Sequence, residues 1–181
     1  KQLAHSQIVC RGSVTVGPID NPNGNLFGCE IQCQGPIQAG TIGAVSGSNL
    51  FVDYSEGFNF LVERIDVMDE MLKQIQDNYY RHKGRMEIIK KKRLPSDLAR
   101  KVNMAVKLYK SEEQLLAWVT KKVEELRKAK EQYQNIIGMS ASKKLHAGVI
   151  VKLNNRTWKA DRDYSRGRVH YFEHQWHYEP K

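Results

Sequence analysis

Between residues 5 and 54, apolar residues alternate with polar ones in short bursts, separated by glycine or polar corners. The bursts are Ile8/Cys10, Val14/Val16, Leu26, Cys29/Ile31/Cys33, Ile37/Ala39 and Leu50/Val52. Alternation with period two marks strands that bury one face. Ile8 to Val14 and Ile31 to Ile37 are each six residues apart, while a spacing of 19 links Cys10 to Cys29, Val14 to Cys33, Ile31 to Leu50 and Cys33 to Val52. Bursts this short cannot bury a face alone. A short repeat nested in a longer one predicts coils that stack on one another, a parallel β-helix, ahead of a small β-sandwich with Gly-rich turns.

At Glu56 the period changes. Leu61, Ile65, Met68, Leu72, Ile75, Tyr79, His82, Met86 and Ile89 follow at alternating steps of four and three. That is a heptad seam along one long helix. Pro95 disfavours helix at Leu94, and Ser96 suits the N-cap of a second helix. A second seam runs through Leu98, Val102, Ala105, Tyr109, Glu112, Leu116, Val119, Val123, Leu126, Lys130, Tyr133 and Ile137, and Gly138 stops it. Gly84, Glu112 and Lys130 interrupt the regularity, as a local bend or a register device would. Two long helices joined by a short connection run antiparallel.

After Gly138 the alternation returns in "HAGVIVKL". "NNRT" reads as a turn, and "TWKADRDYSRGRVHYF" as a hairpin around Ser165–Gly167. The ends of the helical hairpin lie together, so this segment is expected to pack on the last coil and cover its edge. The fold class predicted is α+β: a short parallel β-helix (residues 1–55) interrupted by an antiparallel coiled-coil hairpin (56–137, turn near 94–96). A C-terminal β segment (138–181) completes the β part. The junction falls at Tyr54–Glu56.

Several stretches resemble a known family. "GNLFGCEIQC", Gly24 to Cys33, is similar to a G-x-I-x-G-G-x-I-x-A motif. "IQAGTIGAVSGSNLFVD", Ile37 to Asp53, resembles I-x-A-G-x-I-G-S followed by T-x-I-x-V-G. Heptad helices and a G-V-x-I strand, here within "HAGVIVKL", follow in the same order. Together they resemble the C-terminal part of the flagellar assembly protein A family (FapA), over almost the whole chain. Cys29 stands where the family has a second glycine, and Cys10 and Cys33 where alanine is usual. Leu50 follows Asn49 where threonine is common, and Asp53 replaces a glycine. The resemblance implies a β-helix interrupted by a coiled-coil hairpin and a non-catalytic cytoplasmic role in flagellum assembly or placement, including at a cell pole. It also implies further β-helix and another domain in a longer parent, as a first residue of Lys1 suggests, so that the rung near Ile8 would be a cut edge. It carries no catalytic residues.

Charge narrows the choice of partner. Net charge is +9, from 29 basic and 20 acidic residues. From Arg81 to Lys101 stand Arg81, Lys83, Arg85, Lys90, Lys91, Lys92, Arg93, Arg100 and Lys101 against only Glu87 and Asp97. A helix C-terminus is complemented by one or two cations. The excess marks the hairpin tip as the contact for a protein partner or another acidic or phosphate-bearing surface. No aromatic stacking groups accompany the basic run as nucleic-acid binding would favour. No apolar run is long enough to span a bilayer. Three cysteines, in no zinc-finger pattern, favour a reducing compartment over a disulfide framework.

Other chemistry is sparse, and no cofactor is expected. "GTIGAVSG" lacks the Lys-Ser/Thr of a phosphate-binding loop. Gly40, Gly43 and Gly47 read as coil corners. Cys29 and Cys33 share parity with Ile31 and are expected to face inward. His170, His174 and His177 would line one face of a helix and could hold a metal. The aromatics of "HYFEHQWHY" favour a strand instead, with His170, Phe172, His174, Trp176 and Tyr178 on one side and His177 on the other. A hexapeptide-repeat acyltransferase would need a histidine base between coils; the β-helix region offers only His5, at its start.

Overall fold

The computed structural model describes residues 1–47, 49–91 and 98–181, with Lys90 and Lys91 described by backbone alone. Seven strands come first: β1 (Gln2–Ala4), β2 (Gln7–Cys10), β3 (Val14–Thr15), β4 (Asn25–Phe27), β5 (Glu30–Cys33), β6 (Ile37–Ile42) and β7 (Leu50–Asp53). Two helices follow, α1 (Ser55–Lys91) and α2 (Ala99–Ile136). Five strands close the chain: β8 (Gly138–Leu145), β9 (Val149–Leu153), β10 (Arg156–Lys159), β11 (Gly167–Phe172) and β12 (Gln175–Pro180). Contacts divide this mixed α+β chain into two units, Lys1–Leu61 with Ala129–Lys181, and Val62–Lys128.

The first unit is built on two sheets whose ladders are mostly parallel. Gln2 pairs with Asn25, Ile8 with Ile31 and Val14 with Ile37, so the first three strands are each matched 23 residues later. The next ladders pair Ile31 with Val52 and Leu26 with Ile42, spacings of 21 and 16. The 19-residue spacing is therefore not the register. Its physical origin is that a slip of two or four residues keeps every side chain on its own face. Inward positions separated by 19 are such slips of the true partners.

Inward residues alternate as the pattern requires. Ile31, Val52 and Val151 are fully buried in successive rungs, each contributing about 1.5–3 kcal/mol by leaving water. Cys29 and Cys33 are buried, as their parity demands. The thiols of Cys10 and Cys33 donate to the carbonyls of Gly12 and Gly35, one device used twice at the 23-residue interval. Gly43 and Gly47 are corners with φ of 86° and 71°. Gly40 is not a corner. It lies inside β6, where a Cβ would run into the backbone of Asn23.

The helices enter between two rungs. β7 ends at Asp53, whose carboxylate accepts the Ser55 N–H at 2.8 Å and starts α1. Glu56 in the first turn complements the dipole. After α2, Gly138 takes φ 144° and β8 pairs parallel with β6, Ile37 opposite Met139. β9 then pairs with β7, Val52 opposite Val151. Tyr54, fully buried, bridges exit and return: its hydroxyl donates to the Gly138 carbonyl at 2.7 Å, and Tyr133 donates to the Tyr54 carbonyl at 2.7 Å.

The hairpin expected around Ser165–Gly167 does not form. β10 pairs antiparallel with β9 across the Asn154 turn, and β11 with β12 across Glu173 and His174, with Asn154, Glu173 and His174 all at positive φ. The intervening segment is pinned elsewhere. Asp163 accepts from Lys144 at 2.8 Å and from the Ala147 N–H at 3.0 Å, which together hold its carboxyl well below the usual range. β11 also pairs antiparallel with β8, and Val169, Tyr171 and Trp176 complete the core at that end.

Candidate functional site

In the second unit, α1 and α2 lie side by side and antiparallel. Asp69 meets Arg127 near the start of α1 and the end of α2, while Tyr79 and His82, further along α1, meet Tyr109 and Glu112, earlier on α2, and this fixes the direction. Every seam residue from Ile65 to Ile89 and from Val102 to Leu126 is buried or half-buried. The polar seam residue Glu112 is accounted for by His82, whose Nδ1 lies 2.7 Å from its nearer carboxylate oxygen. Beside it the rings of Tyr79 and Tyr109 stack at 5.2 Å, and the Tyr109 hydroxyl donates to that of Tyr79 at 2.9 Å. This hydrogen bond, then burial, pushes the Tyr109 phenol up to about 12. Gly84 sits within continuous α1, with open space around it.

Five of the nine cations singled out in the sequence have described side chains. Arg81, Lys83 and Arg85 on α1, and Arg100 and Lys101 at the start of α2, are all exposed. Arg81 reaches the Asn78 side chain at 3.2 Å. Among the described residues none of the five forms an ion pair. Lys90 and Lys91 belong to the last turn of α1. Lys92 and Arg93, with the expected turn at 94–96, Pro95 and the Ser96 cap, lie outside the described residues.

Between the helices near this cluster is a groove of about 280 Å³, lined by His82, Arg85, Met86, Ile89, Leu108 and Glu112 with Ala105 and Tyr109. The heptad pattern does not reveal it, because it assigns the lining residues of the seam to closed packing. The signal that was present is Leu108, a lining residue at an apolar position that the seam leaves out.

The remaining candidates fall into structural roles. His5 is a corner residue at φ 49°, its ring edge-on to Phe27 at 5.6 Å. The histidines of "HYFEHQWHY" share neither a helix face nor the expected strand parity. The turn at Glu173 and His174 reverses the chain, so His170 stands opposite His177 in register, ring centroids 6.1 Å apart. His174 is in the turn itself. Burial, then the Arg168 charge, lowers the pKa of His170. No group of three or more potential ligands able to hold a metal occurs among the described residues. No helix among them is long and apolar enough to cross a membrane.

The chain has no match among curated proteins and none among solved structures. Residues 1–176 match the family described as the Flagellar Assembly Protein A beta solenoid domain. With nearly its whole length matched, and with parallel ladders repeating through its first unit, the chain belongs to that family, FapA.

Proposed function

We propose that this chain is a non-catalytic scaffold in flagellum assembly or placement, and that its helical hairpin is the arm by which it engages a protein partner. Family membership implies the flagellar assembly role. In this reading the fold is a short parallel β-helix (1–55), an antiparallel coiled-coil hairpin (56–137) and a β segment (138–181) that completes the β part. It acts in the cytoplasm, with recruitment to a cell pole. The observation that carries the arm is the concentration of exposed cations: Arg81, Lys83, Arg85, Arg100 and Lys101 are exposed and in no ion pair among the described residues. Cations concentrated on one stretch and paired with no carboxylate among the described residues favour an acidic contact and speed its encounter.

The test replaces Lys90, Lys91, Lys92 and Arg93 together with Ser in the full-length protein. Spreading on soft agar is expected to fall to that of a deletion strain, and the partners recovered by pull-down to be lost, at an unchanged melting temperature. Unchanged motility with unchanged partners would remove the tip from this reading.

A further inference from the structure

Each helix of residues 62–128 carries apolar side chains on a second face, beside the seam. On α2, Met104, Leu108, Leu115 and Trp118 recur at steps of four, seven and three, and are 63%, 64%, 45% and 53% exposed. At about 100° per residue these four fall within one quadrant of the helix. On α1, Val67 and Met71 occupy a flank of the seam, and Arg85 lies two heptads beyond Met71 on that same flank. Arg85 and Leu108 both line the groove between the helices. The two flanks therefore open on one side of the pair. A helix apolar on its seam and again on the adjacent flank has the pattern of a member of a wider bundle. Six such residues on one side are a patch and not the scatter of a normal surface.

The charge around the patch selects its occupant. Residues 78–111 hold eleven Lys and Arg against Glu87 and Asp97. Arg85 lines the groove, with Arg81, Arg100 and Lys101 exposed close by in sequence. The carboxylate among the described lining residues, Glu112, is already engaged by His82. A second copy laid parallel would set two such excesses against each other. We propose that this face docks an acidic amphipathic helix of a protein partner. The helix's apolar stripe would lie on Leu108, Leu115 and Trp118, and its carboxylates would face Arg85 and the neighbouring cations. The proposal rests on the arm reading above and adds to it the surface and the chemistry of what binds.

The probe is a labelled four-heptad helical peptide with Leu at positions a and d and Glu at the flanking positions, titrated with full-length protein and followed by fluorescence anisotropy. Saturable binding is expected, weakening as salt is raised. Leu108→Ser with Trp118→Ser is expected to weaken it at least about tenfold, and Arg85→Glu to a similar degree. These positions are exposed, so circular dichroism is expected to show an unchanged fold. The same peptide with Lys in place of Glu is expected not to bind. Absence of binding, or equal binding of the two peptides, would overturn the proposal. So would sedimentation showing a dimer that the Leu108→Ser/Trp118→Ser variant dissolves, since a second copy would then be the occupant. If the peptide fails while the Lys90–Arg93 replacement still abolishes motility, the face is refuted and the arm stands. If the peptide behaves as stated while that replacement leaves motility and partners intact, the tip reading fails on its own.

Discussion

Tyr54→Ala is expected to lower the unfolding free energy by about 3–5 kcal/mol, the range for deleting a large buried ring. Tyr54 has no exposed surface, and its ring lies 5.9 Å from that of Trp176, centroid to centroid. Its hydroxyl serves the Gly138 carbonyl at 2.7 Å. Truncation leaves a cavity and also an unpaired carbonyl in a buried position, and the second of these costs about 1–3 kcal/mol by itself. Tyr54→Phe separates the two, because it keeps the ring and removes only the donor. Urea denaturation followed by circular dichroism should rank wild type above Tyr54→Phe and Tyr54→Phe above Tyr54→Ala. Equal midpoints for wild type and Tyr54→Ala would show that the point where the helices leave and rejoin the strands is not a keystone of stability.

The second large effect is alkaline unfolding. Burial pushes the Cys33 thiol from 9.0 up to about 12, against smaller lowering by its hydrogen bond with Tyr54. Burial, then the Cys33 charge, raises Tyr54 well above 10.0, and the same two causes in the same order raise Tyr133. All three groups are neutral when protonated, so the folded state favours the proton. Below the unfolded value both states hold it and stability is fully present. Above that value the unfolded chain ionises first, and stability is lost as pH climbs towards the folded value. The decline is expected to begin near pH 9 with Cys33 and to steepen above pH 10 as the tyrosines join. Cys33 alone removes on the order of 4 kcal/mol by pH 12, since each tenfold difference in proton affinity between the folded and unfolded chain is worth about 1.4 kcal/mol. Urea midpoints measured from pH 8 to 11 check this. Cys33→Ala should flatten the curve between pH 9 and 10, where the tyrosines do not yet titrate. A midpoint constant to pH 10.5 in wild type would contradict the burial of these groups.

The burial of the seam residues from Ile65 to Ile89 and from Val102 to Leu126 was legible in the sequence, though the expected seam residue Leu98 is exposed and Ile137 falls past the end of α2. Heptad spacing is local, and a run from Ile65 to Ile89 leaves no freedom in which side faces the neighbour. Strand positions were legible in parity but not in register, because parity survives a two-residue slip. A stronger signal was nevertheless present. "IVCRGSVTV" at 8–16 and "IQCQGPIQA" at 31–39 share Ile, Cys and Gly in step, 23 residues apart, and the ladder from Ile8 to Ile31 has that spacing. Identity of unusual residues was a better guide to stacking than recurrence of apolar ones. The β11–β12 turn was missed because its residues, Glu173 and His174, are not turn formers. They take φ of 48° and 64° because the strands on either side pair from Gly167 to Pro180. The basic cluster was plain from composition. The apolar face next to it was not, since a flank becomes a shared surface only once a second helix fixes which side of the pair it is on.

The return of the chain at Gly138 also bears on the order in which the molecule assembles. Pairing Ile37 with Met139 joins residues about a hundred positions apart, a contact that a loose polymer reaches slowly. The intervening residues are not a loose polymer. Helices zip locally within microseconds, and once α1 and α2 pair, the strands that must meet are held at the two ends of one hairpin. Shortening the effective loop about tenfold removes about 2 kcal/mol of closure entropy from that step. The helical insertion thus doubles as a clasp that brings the rung after it within reach of the rung before it.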